Sequence, residues 1–231
     1  MSMTEDQLSL KDFCGTARLF PLPNLVLFPS VIQPLHIFEP RYREMMADAL
    51  NGDRLLALVL LRAGWEETYH LRPPVHAVAC LGAISNEERL SDGRYNLLLH
   101  GLRRIRIVEE LPPAKLYRSA RVELLEDVAP AAEEECPLRE ELGRRVPAWF
   151  AGHAAAMQQA QQLFETGLPL SALCDIFGFA LPLPTEGKQL LLEELDVTRR
   201  ARLLLTQLDE QKPPDPSKIP ERHFPPEFSS N

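Results

Sequence analysis

Six histidines, four cysteines and a scatter of carboxylates are the groups with which this chain of 231 residues could do covalent or metal chemistry. Their spacing supports little of it. H-E-x-x-H, which puts two imidazoles on one helix face with a carboxylate between them, begins at none of the histidines. His76 and Cys80 are spaced as a ligand pair on a bulged strand would be, but no second pair accompanies them, and Cys14, Cys80, Cys136 and Cys174 form no C-x-x-C. No metal, cofactor or redox dithiol is expected, and the thiols read as reduced and structural. A loop that cradles phosphate needs closely spaced glycines, so that backbone N–H groups reach the oxygens. Here the two nearest, Gly93 and Gly101, are eight residues apart, which excludes both the Walker A and the G-x-G-x-x-G spacing. G-x-S-x-G is absent too, and no nucleophile elbow can be placed. The glutamates at 133–135 and 193–194 fall in charge-rich helical segments and read as solvated faces. No residue receives a catalytic role, and the chain is expected not to be an enzyme.

What remains is the chemistry of contact. A domain that recognises unfolded polypeptide needs exposed apolar groups with adaptable polar neighbours, or a free sheet edge. In PRYREMMADAL, residues 40–50, Tyr42, Met45, Met46 and Ala49 recur at helical spacing. This leaves Arg41, Glu44 and Asp48 as a polar outer stripe, either a contact or an ordinary solvated face. Between two strand-like runs, Trp65 and Tyr69 accompany Glu66 and Glu67 in a loop, as satellite core residues or as docking anchors. Arg103, Arg104 and Arg106 form a basic cluster in which Arg104 and Arg106 face away from Ile105 and Ile107, suited to salt bridges as well as to phosphates. An RNA-binding reading is carried as an alternative on that ground. Against it stands a formal charge of -8, whose excess lies wholly after residue 125, since residues 1–125 carry 15 basic and 15 acidic side chains. A small-molecule binder, the third reading, would require a deep pocket with convergent polar groups.

The elements that must position these groups are strands first and helices after. Residues 55–61 are an uninterrupted aliphatic run flanked by charge, as in a strand buried on both faces, and 75–84, 94–100, 103–108 and 119–124 follow as further strands. The glycine at 101 is expected to separate two of them, and Asp92-Gly93 to supply a tight turn. Pro40 suits the first position of the intervening helix and Gly52 its end. Phe28, Pro29, Pro34, His36 and Phe38 read as scaffold, with the prolines fixing extended strands that cannot pair on every side. After Pro130 the pattern becomes helical: 132–164 with breaks expected at Pro137 and Pro147, then 169–179, 185–195 and 197–210, with Asp196 as N-cap of the last. The division expected is an N-terminal extension at 1–17, a β-rich subdomain at 18–128, a helical bundle at 129–211 and a proline-rich tail at 212–231. That tail is read either as flexible or as an arm anchored by Phe224 and Phe228. No basic region followed by an apolar core opens the chain, so a cytoplasmic location is expected.

Four segments carry a resemblance. LFPLPNLVLFPSVIQPLHIFEPRYREMMADAL at 19–50, CLGAI at 80–84, DGRYNLLLHGLRRIRI at 92–107 and KQLLLEELDVTRRARLLLTQL at 188–208 together resemble the N-terminal, substrate-binding domain of the Lon proteases, over about 190 residues. The resemblance implies an α+β fold, a PUA-like pseudo-barrel followed by a helical subdomain. In Lon enzymes this region precedes an ATPase and a Ser-Lys peptidase, neither of which has a counterpart here, so the chain looks like a free-standing form of the domain. The function implied is non-catalytic recognition of unfolded or partner polypeptide, linked to degradation or quality control. A protease or chaperone is among the candidate partners, nucleic acid is disfavoured, no membrane contact is expected, and self-association is left open.

Overall fold

The structure, a computed structural model, describes residue 10 and residues 13–211 apart from 70 and 151. Phe224 and Phe228, the expected tail anchors, lie outside the described residues. Short apolar runs bounded by turns form β1 (Thr16–Leu22), β2 (Ile32–Ile37), β3 (Leu55–Leu60), β4 (Val78–Arg89), β5 (Tyr95–Glu110) and β6 (Arg118–Leu124), with α1 (Pro40–Leu50) between β2 and β3. Helices follow: α2 (Ala132–Arg145), α3 (Ala154–Glu165), α4 (Leu170–Ala180), α5 (Thr185–Glu193) and α6 (Val197–Glu210). The fold is α+β. The chain divides into two compact units, one ending at Leu125 and the other beginning at Glu126.

In the first unit β5 is long enough to serve two neighbours on one side. Its N-terminal half pairs with β2, and its C-terminal half pairs with β6. Because β6 also pairs with β1, the strands β5-β4-β3-β1-β6 close into a barrel with β2 appended as an edge. Closure lets one face of each strand fill the interior, where Leu19, Ala57, Leu81, Ile105 and Ala120 meet. β3 is buried at every position, as its aliphatic run predicts.

Glycine at 101 does not separate two strands. β5 runs through it, and the absent side chain serves a close approach: a Cβ there would sit 2.0 Å from the Phe28 carbonyl oxygen. The two segments are joined at this place, since Ser30 N donates to Gly101 O (2.9 Å) and Gly101 N to Val31 O (2.8 Å). The expected turn at Asp92-Gly93 is present, with Gly93 at φ +81°. After α1, however, the left-handed residue is Arg54 (φ 60°) and not Gly52. Gly52 instead lies beneath the Arg18 guanidinium, where a Cβ would come within 3.1 Å of Nη2.

The edge strand is guarded. Leu98, opposite Pro34, gives its carbonyl to the Ser85 hydroxyl on the β4 side (3.2 Å), so Pro34 turns outward, where a missing N–H costs nothing. Its own carbonyl accepts from Gln33 Nε2 at 2.7 Å.

In the second unit α2 continues through Pro137, contrary to the expected break. The proline removes a bond to the carbonyl of Glu133, which lies in an exposed first turn and stays open to water. At Pro147 the helix does give way, to a 3-10 segment, Val146–Phe150. Asp196 caps α6, its Oδ1 accepting from Arg199 N at 3.0 Å, and Val197, Ala201, Leu204 and Leu208 form the buried stripe. The wholly buried Arg200 donates to Asp127 Oδ2 (3.0 Å), Asp175 Oδ1 (3.3 Å) and Glu194 O (2.8 Å), tying α4, α6 and their flanking segments together.

Candidate functional site

Helix α1 begins without a side-chain cap, because Glu39 spends its carboxylate elsewhere. Oε2 accepts from Arg41 Nε (2.9 Å) and Oε1 from the Tyr69 hydroxyl (2.8 Å). The Arg41 guanidinium lies over two rings, 4.6 Å from the Tyr42 centroid and 4.9 Å from that of Tyr69. Tyr69 in turn meets Trp65 edge-on at 5.5 Å, and Tyr42 meets Phe20 edge-on at 4.6 Å. The expected stripe and the expected aromatic loop are thus one assembly, running from the core at Phe20 to the surface at Trp65. Burial pushes both phenols upward from their ordinary range; at Tyr69 the hydrogen bond to Glu39 adds to it.

Glu44 and Asp48 point the other way along the stripe and hold the segment that enters β6. Glu44 Oε2 accepts from Leu116 N at 3.2 Å, and Asp48 Oδ2 accepts from the Tyr117 hydroxyl at 2.7 Å and from Lys115 Nζ at 3.1 Å. The Tyr117 hydrogen bond holds the Asp48 carboxyl below its usual range, and burial together with Asp48 pushes the Tyr117 phenol up to about 12. One step further, Glu110 takes Arg118 Nε at 2.9 Å and Arg72 Nη2 at 3.2 Å. Burial alone would raise the Glu110 carboxyl, but these two guanidiniums keep it below the ordinary value.

Between these ties lies a recess of about 90 Å³, bordered by Arg41, Tyr42, Leu71, Lys115, Leu116 and Arg118. Each cation that lines it has a carboxylate within ion-pair distance: Glu39 for Arg41, Glu110 for Arg72 and Arg118, and Glu44 with Asp48 for Lys115. The uncommitted groups are apolar. Leu71 is 71% exposed and Leu116 68% exposed, the two highest values among the large hydrophobic side chains described.

Leu71 and Leu116 are absent from the sequence-predicted set. LPPAKLY at 111–117 shows two prolines among apolar residues, but nothing in it tells which leucine turns outward. Arg104 departs from expectation: it is 3% exposed, so the three arginines of β5 do not form one solvent-facing cluster. Among the described residues, no group of three or more His, Cys, Asp or Glu side chains could hold a metal ion, and no helix is long and apolar enough to cross a membrane.

The Lon protease 2 of Myxococcus xanthus is 27% identical over 212 residues, which cover 89% of this chain and 25% of that protein. The Lon protease of Desulfosudis oleivorans is 27% identical over 202 residues, covering 85% and 24%. This chain thus spans about a quarter of the length of the curated relatives it matches. Among solved structures, the N-terminal domain of a Mycobacterium avium complex Lon protease superposes with a TM-score of 0.68 at 19% identity, covering 85% of this chain and 100% of that one. A Lon N-terminal domain protein from Xanthomonas campestris gives 0.60 at 23% identity, covering 83% and 97%. These likenesses establish the fold. The model of the ATP-dependent protease La (LON) substrate-binding domain matches residues 16–210, and the chain belongs to that family.

Proposed function

We propose that the chain is a non-catalytic module that holds apolar segments of unfolded or partner polypeptides on the surface formed by α1, the Trp65–Tyr69 loop and the segment before β6, in the service of degradation or quality control. The observation that carries this reading is the pair of exposed leucines, Leu71 and Leu116, beside a recess whose charges are already matched. Such a site rewards apolar contact and is indifferent to the charge of what it binds. Its volume, about 90 Å³, is well short of the roughly 300–1,000 Å³ that encloses a drug-sized ligand. That favours a protruding side chain of a polypeptide over a small molecule.

The test uses a permanently unfolded, fluorescently labelled protein and the full chain. Covering an exposed leucine contributes up to about 1.5–3 kcal/mol, so Leu71→Ser with Leu116→Ser should weaken binding by about tenfold or more and leave the melting temperature nearly unchanged. Equal affinity of the doubly substituted and original proteins would end this reading.

A further inference from the structure

A second recess, of about 400 Å³, borders the opposite flank of α1, between that helix and the turn joining β4 to β5. At 100° per residue, Pro40, Arg43 and Ala47 point away from the side on which Arg41 and Tyr42 lie. Its chemistry is the reverse of the first recess. Arg43 and Arg89 both line it, and among the described residues neither has a carboxylate within ion-pair distance. Their positions are nonetheless defined. Arg43 lies across Gly93, where a Cβ would stand 2.1 Å from its Nη2, so the bare α-carbon of the turn gives the guanidinium its place. Arg89 Cζ sits 5.9 Å from the centroid of the Tyr95 ring, itself part of the lining.

Two guanidiniums with no carboxylate in ion-pair reach make this flank of α1 locally positive on a chain of formal charge -8. We propose that this recess binds a carboxylate carried by the polypeptide ligand, so that α1 reads an apolar residue on one flank and an acidic one on the other. The inference rests on the polypeptide-binding reading for its ligand but on different side chains for its chemistry. A guanidinium fork matches a carboxylate in two parallel hydrogen bonds. Glu44 also borders the recess, its carboxylate held toward Leu116 N and Lys115 and outside ion-pair distance of either guanidinium, and a negative side chain at the rim suits a singly charged carboxylate better than a doubly charged phosphate.

The probe is a short labelled peptide containing leucines and one internal glutamate, set beside its glutamine counterpart with a free and with an amidated C-terminus. The glutamate peptide should bind about tenfold more tightly than the amidated glutamine peptide, as expected for a charge-assisted contact, and added salt should shrink the difference. A gain with internal glutamate supports the proposal; a gain confined to the free C-terminus assigns the site to a chain end and not to an acidic residue, and overturns it. Arg43→Gln with Arg89→Gln should abolish the preference, and Arg43→Lys with Arg89→Lys should keep part of it. Leu71→Ser with Leu116→Ser should weaken every peptide and keep the ratio between them. If the leucine substitutions change nothing while the acidic preference follows the arginines, the apolar site falls and this one stands. Equal binding of all peptides, a preference that survives loss of both arginines, or displacement by inorganic phosphate at lower concentration than by acetate overturns the proposal.

Discussion

Gly101→Ala places a methyl carbon 2.0 Å from the Phe28 carbonyl oxygen and 3.2 Å from Cys80 Sγ. The obstacle is backbone, which cannot swing aside as a long side chain would. The strand and the segment before β2 must part by about 1 Å or more to restore an ordinary contact. At that spacing the two hydrogen bonds linking Gly101 to Ser30 and Val31 are lost or badly bent, at about 1 kcal/mol each. Misfit in a packed site adds about 1–3 kcal/mol, and the reduced freedom of the unfolded chain returns about 0.4–1 kcal/mol. The net cost expected is about 2–5 kcal/mol, a large part of the roughly 5–15 kcal/mol that holds a domain folded. Urea unfolding of the full chain measures it, with Gly167→Ala as control because a Cβ there meets nothing within 4 Å and its φ is not positive. Hydrogen exchange supplies a local readout: the Ser30 amide should lose protection more than amides in the middle of β3. A Gly101→Ala protein within about 0.5 kcal/mol of the original, with Ser30 still protected, would refute the argument that closeness of the two segments is what requires glycine.

Arg200→Met removes the guanidinium on which Asp127 and the buried Asp175 close, and should cost about 3–5 kcal/mol in chemical unfolding, with Asp175→Asn in the same chain recovering part of the loss. Tyr117→Phe deletes the main cause of the lowered Asp48 carboxyl. A carboxyl whose folded value lies below its unfolded one stabilises above the unfolded pKa and ceases to as pH falls through the folded one. Thermal melts should therefore show a deficit of about 0.5–1.5 kcal/mol near neutrality that closes below about pH 4. Lys188, half-buried with Nζ donating to the Phe179 carbonyl at 2.5 Å, has its pKa pushed down to about 8 by burial. The unfolded chain then binds more protons between about pH 8 and 10.4, so stability should rise with pH across that window relative to Lys188→Met, and melts that run parallel would contradict it.

How far these features can be read from the chain itself depends on the distance over which their causes act. The buried face of α1, the N-cap at Asp196 and the turn at Asp92-Gly93 follow from residues within a few positions of one another, and the structure has all three. Gly101 was misleading for the opposite reason: its cause, the Phe28 carbonyl, lies 73 positions away in the chain and has no local signature. Pro137 shows a rule overridden, since one missing hydrogen bond in a solvated first turn is too small a penalty to stop a helix. At the candidate site, Arg41, Glu44, Asp48, Trp65 and Tyr69 were visible as types, but their division of labour was not. Which of them bond within the chain is decided by Glu39, two positions from Arg41 but thirty from Tyr69, and by Lys115 and Tyr117, which only folding brings near. The exposed leucines were hidden because exposure is a property of what fails to cover a residue, and sequence records only what is present.

The guarded edge at Pro34 bears on what the proposed polypeptide-binding role would require of the sheet. A strand that tried to zip onto β2 would find, at mid-length, a residue with no hydrogen to offer and an oxygen already occupied by Gln33. Backbone-to-backbone templating, the route by which exposed sheets seed fibres, is interrupted there. In the proposed role, contact would then rest on side chains, and a bound polypeptide would be kept from joining the sheet at that edge.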